Sequence, residues 1–137
     1  MWFQLIVFIM VPRKGMRIGI LTAGGDCPGL NAAIRGVGKT AMVQYGMEVI
    51  GFSDGFTGLI EKDYRLLNES ERFGILTLGG TVLGTSREKP FKRANNGDLP
   101  DIDKPKLIKK HYNDLGLNCI FILGGNGTMK TASKLSE

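Results

Sequence analysis

MRIGILTAGGDCPGLNAAIRG, residues 16–36, passes from a short apolar run through a glycine pair into a segment whose apolar residues recur at helical spacing. The run MRIGILTA has the length and composition of a buried strand. Leu30, Ala33, Ile34, Val37 and Ala41 then lie on one face of a helix expected from about Gly29 to Tyr45, and Gly46 breaks it. EVIGF, from Glu48 to Phe52, reads as a second strand, and SDGFTGL after it has turn chemistry at Asp54-Gly55 and Gly58. Strand, helix, strand is a βαβ unit, whose crossover makes the two strands parallel and nearly always right-handed in connection.

The same order returns downstream. A helix is expected from Lys106 to Leu115, ended by Gly116, followed by the apolar strand Cys119 to Leu123, the turn GGNGT and a last helix from Met129 to Glu137. Between the two halves the pattern weakens. Ser70 to Leu76 suits a short helix leading to a turn at Gly79-Gly80. Glu88 to Pro105, with Pro90, Asn95-Asn96-Gly97, Pro100 and Pro105, reads as an exposed loop. The expected class is α/β, a mostly parallel sheet with helices on both faces. Residues 16–137 form one incomplete domain, because the chain stops at a helix with no sheet-closing strand after it.

Composition narrows the functional classes. The chain has 137 residues, 42% hydrophobic and 23% charged, which suits one globular domain. Its net charge of +5 comes without a Lys/Arg run long enough to suggest nucleic acid, so small anionic ligands are the expected partners. Cys27 and Cys119 lack CxxC spacing and suit a reduced, cytoplasmic setting. The apolar start from Met1 to Val11 is too short to cross a bilayer, and Arg13 and Lys14 follow it where a signal peptide wants basic residues first. Residues 1–15 are therefore expected to be an extension outside the fold. The 20 glycines cluster, which points to close backbone approach to a ligand.

Three clusters carry possible chemistry. GGDCPGLNAAIRG, Gly24 to Gly36, lies where a strand meets a helix, whose free N–H groups and positive dipole end attract an anion. GGTVLGTSR leads small residues up to Arg87, whose planar guanidinium suits a phosphoryl group. GGNGT, Gly124 to Thr128, again follows a strand, with an amide at Asn126 and a hydroxyl at Thr128. Each also has a plain structural reading as a tight turn or a solvated arginine. Their expected place at the carboxyl ends of three parallel strands, the edge where open α/β sheets bind ligands, favours the functional one.

The order ILTAGGDCPGLNAAIRG, GFSDGFTGL, GGTVLGTSR, ILGGNGT resembles the 6-phosphofructokinase family over nearly all of residues 16–137. The resemblance implies phosphoryl transfer from ATP, or in some members pyrophosphate, to fructose 6-phosphate. It also implies Mg2+, two α/β domains, allosteric control and a homotetramer. By resemblance Gly25 meets the donor phosphates, Arg87 contacts the donor and the transferring group, and Glu88, Gly125, Asn126, Gly127 and Thr128 line the nucleotide site. Asn126 stands where most members have a magnesium-associated aspartate, which leaves its metal role in doubt. Gly127 matches the glycine of ATP users. Phe56 stands where relatives have a tyrosine near the adenine.

Arg35 and Lys39 fall where bacterial relatives bind effectors, although their i, i+4 spacing also suits a solvated helix face. Lys89, Lys92 and Arg93 are read as a solvated loop by default, with help in holding a nucleotide as the alternative, and His111 is given no role. The aspartate base of the family lies in a TIDND block beyond Glu137, so the chain alone is expected to be inactive. An NAD-kinase-like enzyme and a non-catalytic nucleotide-binding module are the other readings.

Overall fold

A computed structural model describes residues 13, 15–68, 79–92 and 103–137. The short helix expected at Ser70 to Leu76, Arg93 and most of residues 1–15 lie outside that set.

Strands β1 (Arg17–Thr22), β2 (Glu48–Phe52), β3 (Tyr64–Leu66) and β4 (Cys119–Leu123) form a sheet in the order β3-β2-β1-β4. β1 pairs in parallel with both β2 and β4, while β3 pairs antiparallel with β2. The helices are α1 (Leu30–Lys39), which continues as a π-helical turn over Thr40–Gln44, then α2 (Phe56–Glu61), α3 (Lys104–Asp114) and α4 (Asn126–Ser136).

Side-chain alternation sorts the central strands onto two cores. Ile18 and Ile20 of β1 and Val49 of β2 pack with Ile34 of α1 on one face. Leu21, Ile50 and Phe52 pack on the other with Phe56 and Leu59 of α2 and Ile108 of α3. Both faces being covered explains why these strands read as continuous apolar runs rather than as alternating ones. Gly19 and Gly51 are strand positions where a Cβ would stand 2.8 Å from the Phe52 ring and 2.5 Å from Leu83, so their hydrogens let those large side chains reach the sheet.

Four boundaries differ from the sequence reading. The glycine-rich SDGFTGL is a turn only as far as Gly55 and then becomes α2, and β3 follows it. All three β3 residues are exposed, which removes the period that would have betrayed the strand. α3 begins within the expected loop, because Asp103 caps it by accepting from the Lys106 N–H at 3.1 Å and Pro105 suits a first turn. α4 begins at Asn126, so Asn126, Gly127 and Thr128 form its first turn instead of the loop before it. Pro90, placed in an exposed loop by composition, is buried.

His111 donates its Nδ1–H to the Leu59 carbonyl at 2.9 Å, tying α3 to α2. Its role is structural.

Candidate phosphate-binding site

The turn after β1 and the turn after β4 meet at the carboxyl edge of the sheet. Ala23 N–H donates to Leu123 O at 2.9 Å, and the buried Thr128 hydroxyl donates back to Ala23 O at 3.3 Å. The second glycine cluster arrives there as a loop; no strand precedes it among the described residues. Gly24 N–H donates to Ser86 O at 2.9 Å, which sets Arg87 and Gly25 one residue each from the same contact.

The 79–87 loop is held by polar groups buried in the sheet and in α1. Thr22 is fully buried, and its hydroxyl donates to Gly84 O at 2.6 Å. With its one proton so used, it accepts from the Thr81 hydroxyl at 2.9 Å. Asn31, buried in the first turn of α1, donates its backbone N–H to Gly80 O at 3.1 Å and accepts from Val82 N–H at 2.7 Å through its side chain. Asp54 N–H donates to Leu83 O at 2.8 Å, and Thr57 of α2 donates to Ser86 Oγ at 2.9 Å. Sequence reasoning missed Thr22, Asn31, Asp54 and Thr57. Thr22 alone carried a signal, a polar residue inside an apolar strand.

These contacts separate the two helix ends. The start of α1, which the sequence offered as an anion site, already gives its Asn31 N–H to the loop. Neither helix start has a side-chain cap, but at α4 Gly125, Asn126 and Gly127 are exposed. Positive dipole and free N–H groups therefore face outward at α4.

The glycines divide in the same way. Gly24 has a φ of 89°, and at Gly124 a Cβ would stand 2.5 Å from Ala23 O, so backbone conformation requires the first glycine and packing the second. At Gly25, Gly125 and Gly127 an added Cβ meets nothing within 4 Å, and none of the three has the positive φ that favours glycine. Neither packing nor backbone conformation explains glycine there. The backbone faces open space at all three, as it does at Gly36 and Gly79.

Arg87, one residue beyond the Ser86 carbonyl held by Gly24, is exposed and makes no hydrogen bond or ion pair among the described residues. Glu88 is ion-paired with Lys104 at 2.6 Å. Pro90 anchors the following loop, whose Phe91 ring is 42% exposed and lies 5.7 Å below Lys134 Nζ of α4. Lys89 and Lys92 are exposed on the same loop. Phe56 corrects the reading made for it: at 2% exposure its ring belongs to the core with Leu21 and Phe52, with no face left for a base to stack on.

Arg35 is half-buried on α1, and Lys39 is exposed in its last turn, roughly 14 Å along the axis from the helix start. This pair does not join the cluster at the carboxyl edge. No group of three or more His, Cys, Asp or Glu that would hold a metal occurs among the described residues. Asn126 supplies one neutral, exposed amide, so these residues do not make a magnesium site of their own. No helix among the described residues is long and apolar enough to cross a membrane.

A mostly parallel open sheet whose carboxyl edge brings together two glycine turns, an exposed helix start and the segment leading to Arg87 places this chain among the open α/β proteins, which bind ligands at that edge. The chain belongs to the phosphofructokinase family, whose model matches residues 17–137. It is 57% identical over 121 residues to ATP-dependent 6-phosphofructokinase 3 of Bacteroides thetaiotaomicron, covering 88% of this chain and 35% of that protein. It is 56% identical over 121 residues to the ATP-dependent 6-phosphofructokinase of Spirochaeta thermophila, covering 87% and 33%. The crystal structure of Pichia pastoris phosphofructokinase in the T-state superposes with a TM-score of 0.76 at 30% identity, over 90% of this chain and 12% of that one. The chain thus spans about a third of the length of these curated relatives.

Proposed function

We propose that this chain is the donor-binding portion of an ATP-dependent 6-phosphofructokinase, which transfers the terminal phosphoryl group of ATP to fructose 6-phosphate in the cytoplasm. Residues 16–137 are the nucleotide-binding unit and residues 1–15 an extension outside it. The observation that carries the reading is the joining, at the carboxyl edge of the sheet, of the β1 turn to the β4 turn through Ala23 and to the segment before Arg87 through Ser86, with the start of α4 exposed beside them. The relatives named as ATP-dependent point to the same donor.

In this reading the α4 N–H groups and the Gly25 backbone bind phosphate oxygens, and Arg87 pairs with the transferring group as its charge is redistributed. Thr128 holds the two turns together. Magnesium supplies charge compensation that arrives with the nucleotide's own phosphates. Fructose 6-phosphate, allosteric effectors and subunit partners, with a homotetramer as the family form, belong to the full-length protein.

Titration of the 15N-labelled chain with ATP and, separately, with pyrophosphate tests the reading. Shifts centred on Gly25, Arg87 and residues 125–128 with ATP, weakened roughly tenfold or more in Arg87→Ala by loss of a charge-assisted contact, are the expected result. Tighter binding of pyrophosphate, or shifts elsewhere, overturns it.

A further inference from the structure

Ser86 is fixed from two directions immediately before Arg87. Its carbonyl accepts from Gly24 N–H at 2.9 Å, and its hydroxyl accepts from Thr57 Oγ1 at 2.9 Å. The first bond ties the arginine to the glycine turn of β1. The second ties it to α2, whose Phe56 and Leu59 are sunk in the core. Arg87 itself makes no hydrogen bond or ion pair among the described residues. Its backbone position is therefore inherited from Ser86.

We propose that Thr57 is a positioning residue for donor phosphate binding, acting through Ser86 on Arg87. The inference rests on the reading that Arg87 contacts phosphate. Thr57 transmits the rigidity of the α2 core, through its bond to Ser86, to the backbone that carries Arg87. A valine retains the shape of the threonine and removes the donor, so the loop loses one tether while α2 keeps its packing.

The experiment is ATP titration of the 137-residue chain as wild type, Thr57→Val, Thr57→Ser, Arg87→Ala and the double variant Thr57→Val/Arg87→Ala, followed by amide shifts. Thr57→Val is expected to weaken ATP about fivefold and Thr57→Ser to restore it. Against Arg87→Ala, Thr57→Val is expected to have no further effect, which a purely structural role would not produce. Ser86→Ala removes the same bond from the loop side and provides the second route if Thr57→Val gives no folded protein.

An unchanged affinity in Thr57→Val alongside a weakened Arg87→Ala overturns the proposal and leaves the site intact. A loss that persists in the double variant overturns it as well, as does collapse of the dispersed spectrum in both Thr57→Val and Ser86→Ala. An unchanged affinity in Arg87→Ala overturns the site reading itself, and the proposal with it.

Discussion

At Gly127 stability and function are expected to part. A Cβ there meets nothing within 4 Å, and the residue lies in the first turn of α4, where a negative side chain interacts favourably with the helix dipole. Gly127→Asp should therefore leave the melting temperature unchanged or slightly raised. The same carboxylate would occupy and charge the space assigned to the nucleotide phosphates, so ATP affinity should fall tenfold or more. Calorimetric melting and ATP titration of the one variant check both halves, and retained ATP binding would sink the assignment of that space. Phe56 gives the converse case. Phe56→Ala should destabilise the chain by about 3–5 kcal/mol by emptying part of the core, whereas Phe91→Ala, at an exposed ring, should leave stability nearly unchanged. Urea unfolding of the two variants tells them apart.

Elements were legible where apolar runs end in glycine. β2 and β4 have the bounds expected of them, and β1 differs only at its ends; β1 and β2, buried on both faces, are apolar along nearly their whole length. The helix starts were harder to read. Asn126-Gly127-Thr128 is poor in helix propensity, yet the Thr128 hydroxyl bonded to Ala23 O places this tripeptide in the first turn of α4. Tertiary contact outweighs propensity there, and it also turns an expected glycine loop into an outward-facing helix end. Likewise the Phe56 reading failed because a turn-like sequence gives no sign that its aromatic ring enters the core. α3 provides a test of the capping account. Asp103→Ala should cost about 1 kcal/mol and fray Lys104 to Leu107, which hydrogen exchange of the Lys106 and Leu107 amides reports. Protection equal to wild type would mean that packing of Ile108 and His111 alone fixes the start.

Over the whole molecule the two cores are unequally closed. β1 lies in the sheet's interior and is buried along nearly its full length, whereas β4 is an edge strand among those described, with Phe121 40% exposed and Cys119 half-buried. Burial raises the Cys119 thiol above its ordinary value. Burial first, and then the charge of Cys119, raise the Tyr112 phenol of α3. In both groups the folded state holds the proton more tightly than the unfolded chain does. Their contribution to stability is therefore complete below the unfolded-state pKa and is lost as pH rises through the folded one. The unfolded values are about 8.5 for cysteine and about 10 for tyrosine, so stability should begin to fall above about pH 8.5 and fall further above about pH 10. Cys119→Ala should flatten the first interval, and it should reduce the second only by the part of the Tyr112 shift that the thiolate causes. Urea midpoints measured from pH 7 to 11 on the two proteins decide it. A wild-type slope between about pH 8.5 and 10 that survives in Cys119→Ala would place the alkaline sensitivity elsewhere than at the β4 edge.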